Sequence, residues 1–414
     1  MTVLSFMPLS LAEEFARAGR RAVAPSPPIV FGREAVFVDL PDDADAATPL
    51  FAAARRALEP GRVLAAVVQK GRLFERAHPD LTVVRRRGRF LLVELEPDHP
   101  ALTRRTEEPC YAVYRLEPGA EVFRDLGPGD LRPRRDAAVA AVVERLSIAT
   151  FRDVLEQLVG LRTRLSSSDF YRSAAATCRD RLEALGYAPA LQSFPLGDGQ
   201  SSNVVTAATG AAGTATVLVT GHLDSVNHEG GPEADAPGAD DNGSGSAGVI
   251  AMAEALQPVR EQIAVRFVLF GGEEQGLHGS RHFLARLSDQ ERAALRAVIN
   301  MDMIANLNTL PDGTSAPPGV LLEGAEVSRE VIDGLAAQAA TYTNLSVQTS
   351  LSPFASDHVP FIEAGLPGVL TIEGADHAND RIHTAADTFD HIDLGLACQI
   401  LRMNIAYVAS LATS

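Results

Sequence analysis

Two stretches of this chain, Thr216–Gly221 (TVLVTG) and Ile263–Gly272 (IAVRFVLFGG), are apolar almost without interruption. Strands that face water on one side alternate in polarity; these do not, as expected for a sheet buried on both faces. Around them the pattern alternates between strand and helix. Ala137–Arg164 reads as a broken helix and Ser168–Leu185 as a second one. Strands are expected at Ser202–Ala207, Thr216–Gly221 and Ile263–Gly271, with helices between. The pattern predicts a three-layer α/β sandwich with a mixed, mostly parallel central sheet. In such sheets ligands sit at the carboxyl ends of the strands.

This pattern occupies only the second part of the 414 residues, a length that allows more than one domain. Earlier in the chain, Glu34–Leu40, Arg62–Gln69, Leu81–Glu96 and Tyr111–Leu116 read as strands, the third as a hairpin turning at Arg85–Gly88. Ala44–Leu58 reads as an amphipathic helix, and Gly127–Pro133 carries the Pro and Gly of a linker. A small α/β domain is therefore expected over residues 1–135 and a larger one over 136–414. The charge divides near the same place. Residues 1–147 hold 22 Arg or Lys against 21 Asp or Glu, whereas 148–414 hold 15 against 32, which puts the net −16 in the second part. Such an acidic surface repels polyanions, so nucleic acid is not an expected partner. Arg85, Arg86 and Arg87 can meet an anion, but a solvated hairpin tip is the simpler reading.

No apolar run reaches the ~18 residues needed to span a bilayer, so a membrane is not expected either. The N-terminus has a short apolar stretch with no basic residue before it and Glu13 and Glu14 behind it, a poor export signal. Cys110, Cys178 and Cys398 are widely spaced and form no CxxC pair. Free thiols are expected, with neither a disulfide framework nor a sulfur-ligated metal, and a cytoplasmic location is favoured over secretion.

The chemistry gathers where apolar strands stop. TVLVTG runs into His222-Leu223-Asp224, IAVRFVLFGG into Glu273-Glu274, and AVIN into Met301-Asp302. Between the first two lies Pro237-Gly238-Ala239-Asp240-Asp241-Asn242-Gly243-Ser244-Gly245, followed by the apolar helix pattern GVIAMAEAL. A further histidine, His383, lies in the loop RIHT. Alone, Asp240 and Asp241 would read as a helix N-cap and a first-turn acid. Taken together with the strand ends, that reading gives way to one in which the segment supplies a metal ligand, Asp240.

Zinc accepts imidazole nitrogen and carboxylate oxygen at ~2.0–2.2 Å. Two such ions ~3.5–4 Å apart can share a hydroxide and polarise a carbonyl. Only a carboxylate can bridge them with two oxygens, so two histidines, two terminal carboxylates and one bridging carboxylate would give each ion three protein ligands. Period-two strand geometry puts His222 and Asp224 on one side, where Asp224 can accept the second ring N–H of His222. Of the adjacent glutamates, one would bind metal while the other takes a proton from the attacking water.

With these residues in view, GHLDS, APGADDNGSGSAG, FGGEEQGLHGSRHF, INMDM and RIHTAADT resemble the zinc-dependent aminopeptidases of metallopeptidase family 28, of the bacterial leucyl aminopeptidase type. GLRTR, LEALGY and SNVV upstream also match, so the resemblance covers about 148–414 in order. It implies a zinc-peptidase fold with two Zn2+ ions and peptide substrates. His222 and Asp302 would bind one ion, Glu274 and His383 the other, and Asp240 would bridge them. Asp224 would support His222, and Glu273 would be the general base. The free amino group of the substrate would sit on one ion, restricting cleavage to the first peptide bond. Met303, Leu370, Ile372 and Ile382 would line an apolar pocket for the first side chain. Ser356-Asp357-His358 resembles a loop near the substrate, which makes His358 a further candidate. Some relatives place a tyrosine just before that loop; here the stretch is Ser352-Pro353-Phe354-Ala355, with Phe354 in place of that hydroxyl.

Four alternatives stand beside this one. A single-zinc glutaminyl cyclase of the same fold would lack a histidine at the first strand end. A carboxypeptidase or amidase with an inserted dimerisation domain would need more than the 80 residues between Asp302 and His383. Carboxypeptidases and dipeptidases within the family stay open, whereas a non-catalytic homologue would not keep every ligand position filled.

Overall fold

A computed structural model describes residues 2–17, 26–39, 55–102, 111–127, 130–131, 133–210, 215–307 and 317–412. The chain divides into two compact units. The first comprises Met1–Asp125 and Gln348–Phe354, the second Leu126–Val347 and Ala355–Ser414.

In the first unit, apolar strands fold back on each other through short turns. They are β1 (Val3–Pro8), β2 (Ile29–Phe31), β3 (Glu34–Val38), β4 (Arg55–Ala57), β5 (Val63–Gln69), β6 (Val83–Arg87), β7 (Phe90–Leu95), β8 (Tyr111–Arg115) and β9 (Glu121–Leu126). Strands β6-β7-β5-β8 form an antiparallel sheet over a core of Ala65, Val67, Phe74, Leu91, Val93 and Leu95. Its hairpin turns later than expected, with Arg87 paired to Phe90 and Gly88 at φ +61°, a left-handed conformation that glycine adopts without penalty. Arg85, Arg86 and Arg87 face Glu34, Glu75 and Asp125 respectively. Of the helix expected at Ala44–Leu58, residues 40–54 lie outside the described set, and Arg55–Ala57 is a strand instead.

The second unit holds β10 (Pro189–Leu196), β11 (Gly199–Thr206), β12 (Thr216–His222), β13 (Ala264–Phe270), β14 (Leu295–Met301), β15 (Gly319–Glu323) and β17 (Gly368–Glu373). Strand β16 (Ser346–Ser350) lies between the last two in the chain, and its residues from Gln348 belong to the first unit. The second unit's sheet runs β10-β11-β13-β12-β14-β17-β15. Both of its faces are covered. On one, Leu218, Val268, Phe270 and Val298 pack with Phe283, Leu284 and Phe361. On the other lies the helix Gly245–Leu256, buried along nearly its whole length. The helices at 148–159 and 169–184 start at Ser147 and Ser168, whose side chains accept a backbone N–H of the first turn.

Pairing differs from expectation. Antiparallel pairs are β1–β3, β1–β4, β2–β3, β5–β7, β5–β8, β6–β7, β10–β11, β11–β13 and β15–β17; parallel pairs are β2–β9, β12–β13, β12–β14 and β14–β17. The α/β sandwich stands, but its large sheet is predominantly antiparallel, which corrects the expectation of a mostly parallel one. The doubly buried strands β13-β12-β14-β17 are the parallel block of the second unit. Hairpin partners such as β10, exposed along much of its length, extend the sheet antiparallel because a turn of two residues permits nothing else.

Candidate metal centre

Three of the parallel strands end side by side and deliver His222, Glu273 and Asp302. His222 closes β12 and is fully buried. Its Nε2 lies 3.2 Å from Oδ1 of Asp241, 3.4 Å from Oδ1 of Asp302 and 3.9 Å from Oε2 of Glu273. Across the site, Nε2 of His383 lies 3.1 Å from Oδ2 of Asp241 and 3.1 Å from Oε2 of Glu274. The two oxygens of Asp241 thus face two different histidines.

The place expected of Asp240 is taken by its neighbour. Asp240, expected between the histidines, turns away. Its Oδ1 accepts the Ala305 N–H at 3.0 Å and the Ser244 hydroxyl at 3.2 Å, and its Oδ2 accepts the Asn379 amide at 3.0 Å. Those bonds commit the Asp240 carboxylate to holding loops together, and Asp241 occupies the bridging position. Both backbone N–H groups donate to Asp387, that of Asp240 at 3.0 Å and that of Asp241 at 2.9 Å. Before them, Gly238 has φ +52°, and a Cβ there would strike the Asp241 carbonyl and Ser225. The buried guanidinium of Arg164 donates to the carbonyls of Leu223 (2.8 Å), Gly238 (2.8 Å) and Pro237, tying the β12 end to this loop. At the far end Asn242 donates to the Met301 carbonyl at 2.9 Å and accepts the Gly245 N–H at 2.8 Å.

Asp224 does more than support an imidazole. Nδ1 of His222 is 3.1 Å from the Asp224 main-chain oxygen and 3.6 Å from its carboxylate. The carboxylate accepts the backbone N–H groups of Glu273 (3.3 Å) and Glu274 (3.2 Å), so one buried side chain positions both glutamates. Asp302 is held similarly: its Oδ2 accepts the Ser356 hydroxyl at 2.7 Å, leaving Oδ1 toward His222. Ser356 in turn accepts from Asn300 at 2.8 Å, and Asn300 accepts from Thr220 at 2.8 Å.

Burial alone would strip both histidines of a proton, yet each is held well above the ordinary histidine range. For His222 the outweighing charges are Glu273 and Asp302; for His383 they are Glu274 and Asp241. A positive charge is therefore strongly favoured at both places. The donors fit a metal. His222 Nε2, His383 Nε2 and Glu274 Oε1 are buried and make no hydrogen bond. Imidazole nitrogens and carboxylates are the donors zinc accepts. Donor atoms of His222, Asp241 and Asp302 cluster within 4.8 Å of one another, as do those of His228, Glu274 and His383.

The residues expected near a substrate lie in several places. Met303 (φ +55°), Leu370 and Ile372 are buried in the core of the second unit, and Ile382 is half-buried. His358 is fully buried, with Nε2 3.5 Å from Oε1 of Glu323. Phe354 belongs to the first unit, where the Arg89 guanidinium lies 5.6 Å from its ring centre. Sequence reasoning passed over Asp241, Asp387, Ser356 and His228 as site residues. Asp387 lay within the motif RIHTAADT and Ser356 beside His358, but neither carries a ligand spacing of its own.

Similar proteins share this arrangement's setting. The model of Peptidase family M28 matches residues 203–408. Aminopeptidase YwaD of Bacillus subtilis is 34% identical over 42% of this chain and 36% of its own length, so the chain matches only about a third of that relative. Leucine aminopeptidase 1 of Sclerotinia sclerotiorum is 26% identical over 68% of this chain and 76% of that protein. The crystal structure of LapA aminopeptidase from Legionella pneumophila superimposes with a TM-score of 0.58 at 18% identity, covering 86% of this chain and 100% of the other. That last similarity is one of fold.

Proposed function

Because the chain belongs, through residues 203–408, to peptidase family M28, we propose that it is a two-zinc aminopeptidase hydrolysing the peptide bond next to a free N-terminus. The observation that carries this reading is Asp241, whose two oxygens lie 3.2 and 3.1 Å from the Nε2 atoms of different histidines. His222, Asp241 and Asp302 would hold one ion, and Asp241, Glu274 and His383 the other. Two zinc ions bound there would polarise the scissile carbonyl and lower the pKa of water. Glu273 accepts the proton of the attacking water and returns it to the departing amine. Its backbone is held by Asp224, and its carboxylate lies at the site, with Oε2 3.9 Å from Nε2 of His222. A preference for an apolar first residue rests on the family resemblance, since Met303, Leu370 and Ile372 are buried in the core and Ile382 is half-buried.

The relatives named as aminopeptidases support the choice of the amino end over the carboxyl end. The relatives named as aminopeptidases likewise support hydrolysis over a glutaminyl-cyclase reaction. The test is an assay of aminoacyl-amides, N-blocked peptides and N-terminal glutaminyl peptides, with and without a chelator. Chelator-sensitive release of the first residue from free-amine substrates alone is expected. Turnover of N-blocked peptides, or cyclisation of glutaminyl peptides, overturns it. Glu273→Gln should lower kcat by about 10²–10⁴-fold while both metals stay bound.

A further inference from the structure

The second metal position has one more donor beside it than the ligand set above uses. His228 lies in the loop after β12, and its imidazole centre is 4.4 Å from that of His383, the rings tilted by 55°. The two loops are joined at the main chain, the His228 N–H donating to the His383 carbonyl at 3.0 Å. Donor atoms of His228, Glu274 and His383 fall within 4.8 Å of one another. Beneath them, Nε2 of His383 and Oε1 of Glu274 are buried without a hydrogen bond.

The loop carrying His228 is built, not loose. Asn227 is buried; its Oδ1 accepts the Gly230 N–H at 2.7 Å and its Nδ2 donates to the Asp235 carbonyl at 2.7 Å. Arg162 closes the loop's far end on Asp235 at 2.6 Å. The backbone of His228 is thus held at the rim of the site while its ring is exposed. Two donors on one zinc sit ~3.4 Å apart, a separation within the 4.8 Å that bounds these donor atoms.

We propose that His228 is a metal-ligating residue of the second position, joining His383, Glu274 and the shared Asp241. The inference rests on the two-zinc reading above and deepens it. The two positions then differ in chemistry. The first has one imidazole among carboxylates; the second has two imidazoles. Nitrogen-rich sites favour zinc, cobalt and nickel over magnesium and manganese. The second position therefore fills first and more selectively.

The test is calorimetric titration of the metal-free full chain with Zn2+, paired with visible absorption after one equivalent of Co2+. Wild-type protein should show two binding steps, the tighter weakened about 10- to 100-fold in His228→Ala, with the weaker step unmoved. The one-equivalent cobalt spectrum should change in His228→Ala and in His228→Gln alike. Equal far-UV circular dichroism of the metal-free variants shows that folding is not the cause. If wild-type protein binds two ions and both variants match it in affinity and spectrum, His228 is not a ligand, and the two-zinc reading stands. If wild-type protein itself binds fewer than two, the underlying reading fails.

Discussion

The two halves of the site are built differently. The His222 half stands on strand ends: His222 closes β12, Asp302 follows β14, and Glu273 follows β13. The His383 half stands mainly on loops: Glu274 follows β13, but the shared Asp241 comes from the turn before a helix, and His383, at φ +58°, from an irregular segment before the last helix. A strand end is positioned by the sheet's ladder, and its side chain is then oriented by near neighbours, as Ser356 orients Asp302. A loop residue depends on particular side chains elsewhere, here Asp387, Arg164, Asn242 and Asp240. The difference is one of where positional precision originates.

Ser356→Ala probes the strand half without touching a ligand. It removes the 2.7 Å hydrogen bond that orients Asp302, and its effect should be confined to the first position. Affinity there should fall about 10- to 100-fold, read by zinc titration. Equal weakening of both steps would show that the halves do not separate as described.

A smaller effect separates protonation from position. His222 and His383 are both held above the ordinary histidine pKa by surrounding carboxylates. A raised folded-state pKa stabilises the metal-free fold fully below ~6.5, and this contribution is lost as pH rises through the raised value. A bound metal needs the neutral ring, so between those limits metal binding releases protons, and apparent affinity falls as pH is lowered. About one proton per half is expected, measured by titration calorimetry in buffers of different ionisation enthalpy. Release of none would mean the histidines are already neutral.

The same contrast explains what was legible in the sequence. TVLVTG and IAVRFVLFGG announce doubly buried strands because nothing polar interrupts them, and the polar side chains that end them stand out by position. His222, Glu273, Glu274 and Asp302 could be picked out in this way. The rest of the sheet could not. Pro189–Leu196 alternates in burial and reads weakly, so the hairpins that make the sheet predominantly antiparallel were overlooked beside its parallel block. Asp240 and Asp241 present the same chemistry one residue apart. Which of them faces the histidines is decided by Ala305, Asn379 and Asp387, all distant in sequence. His228 carries no ligand spacing at all; only the fold of its loop brings it beside His383.

Exchanging the two aspartates' roles tests the central claim most directly. Asp241→Asn and Asp240→Asn, each loaded with zinc, freed of excess and analysed for metal per folded chain, should differ sharply. Wild-type protein should hold about two ions. Asp241→Asn, with its bridging carboxylate gone, should fall to about one or fewer. Asp240→Asn should keep both in the fraction that folds, with lower thermal stability from the altered loop contacts. Retention of both ions by Asp241→Asn, with their loss from folded Asp240→Asn, would contradict the account.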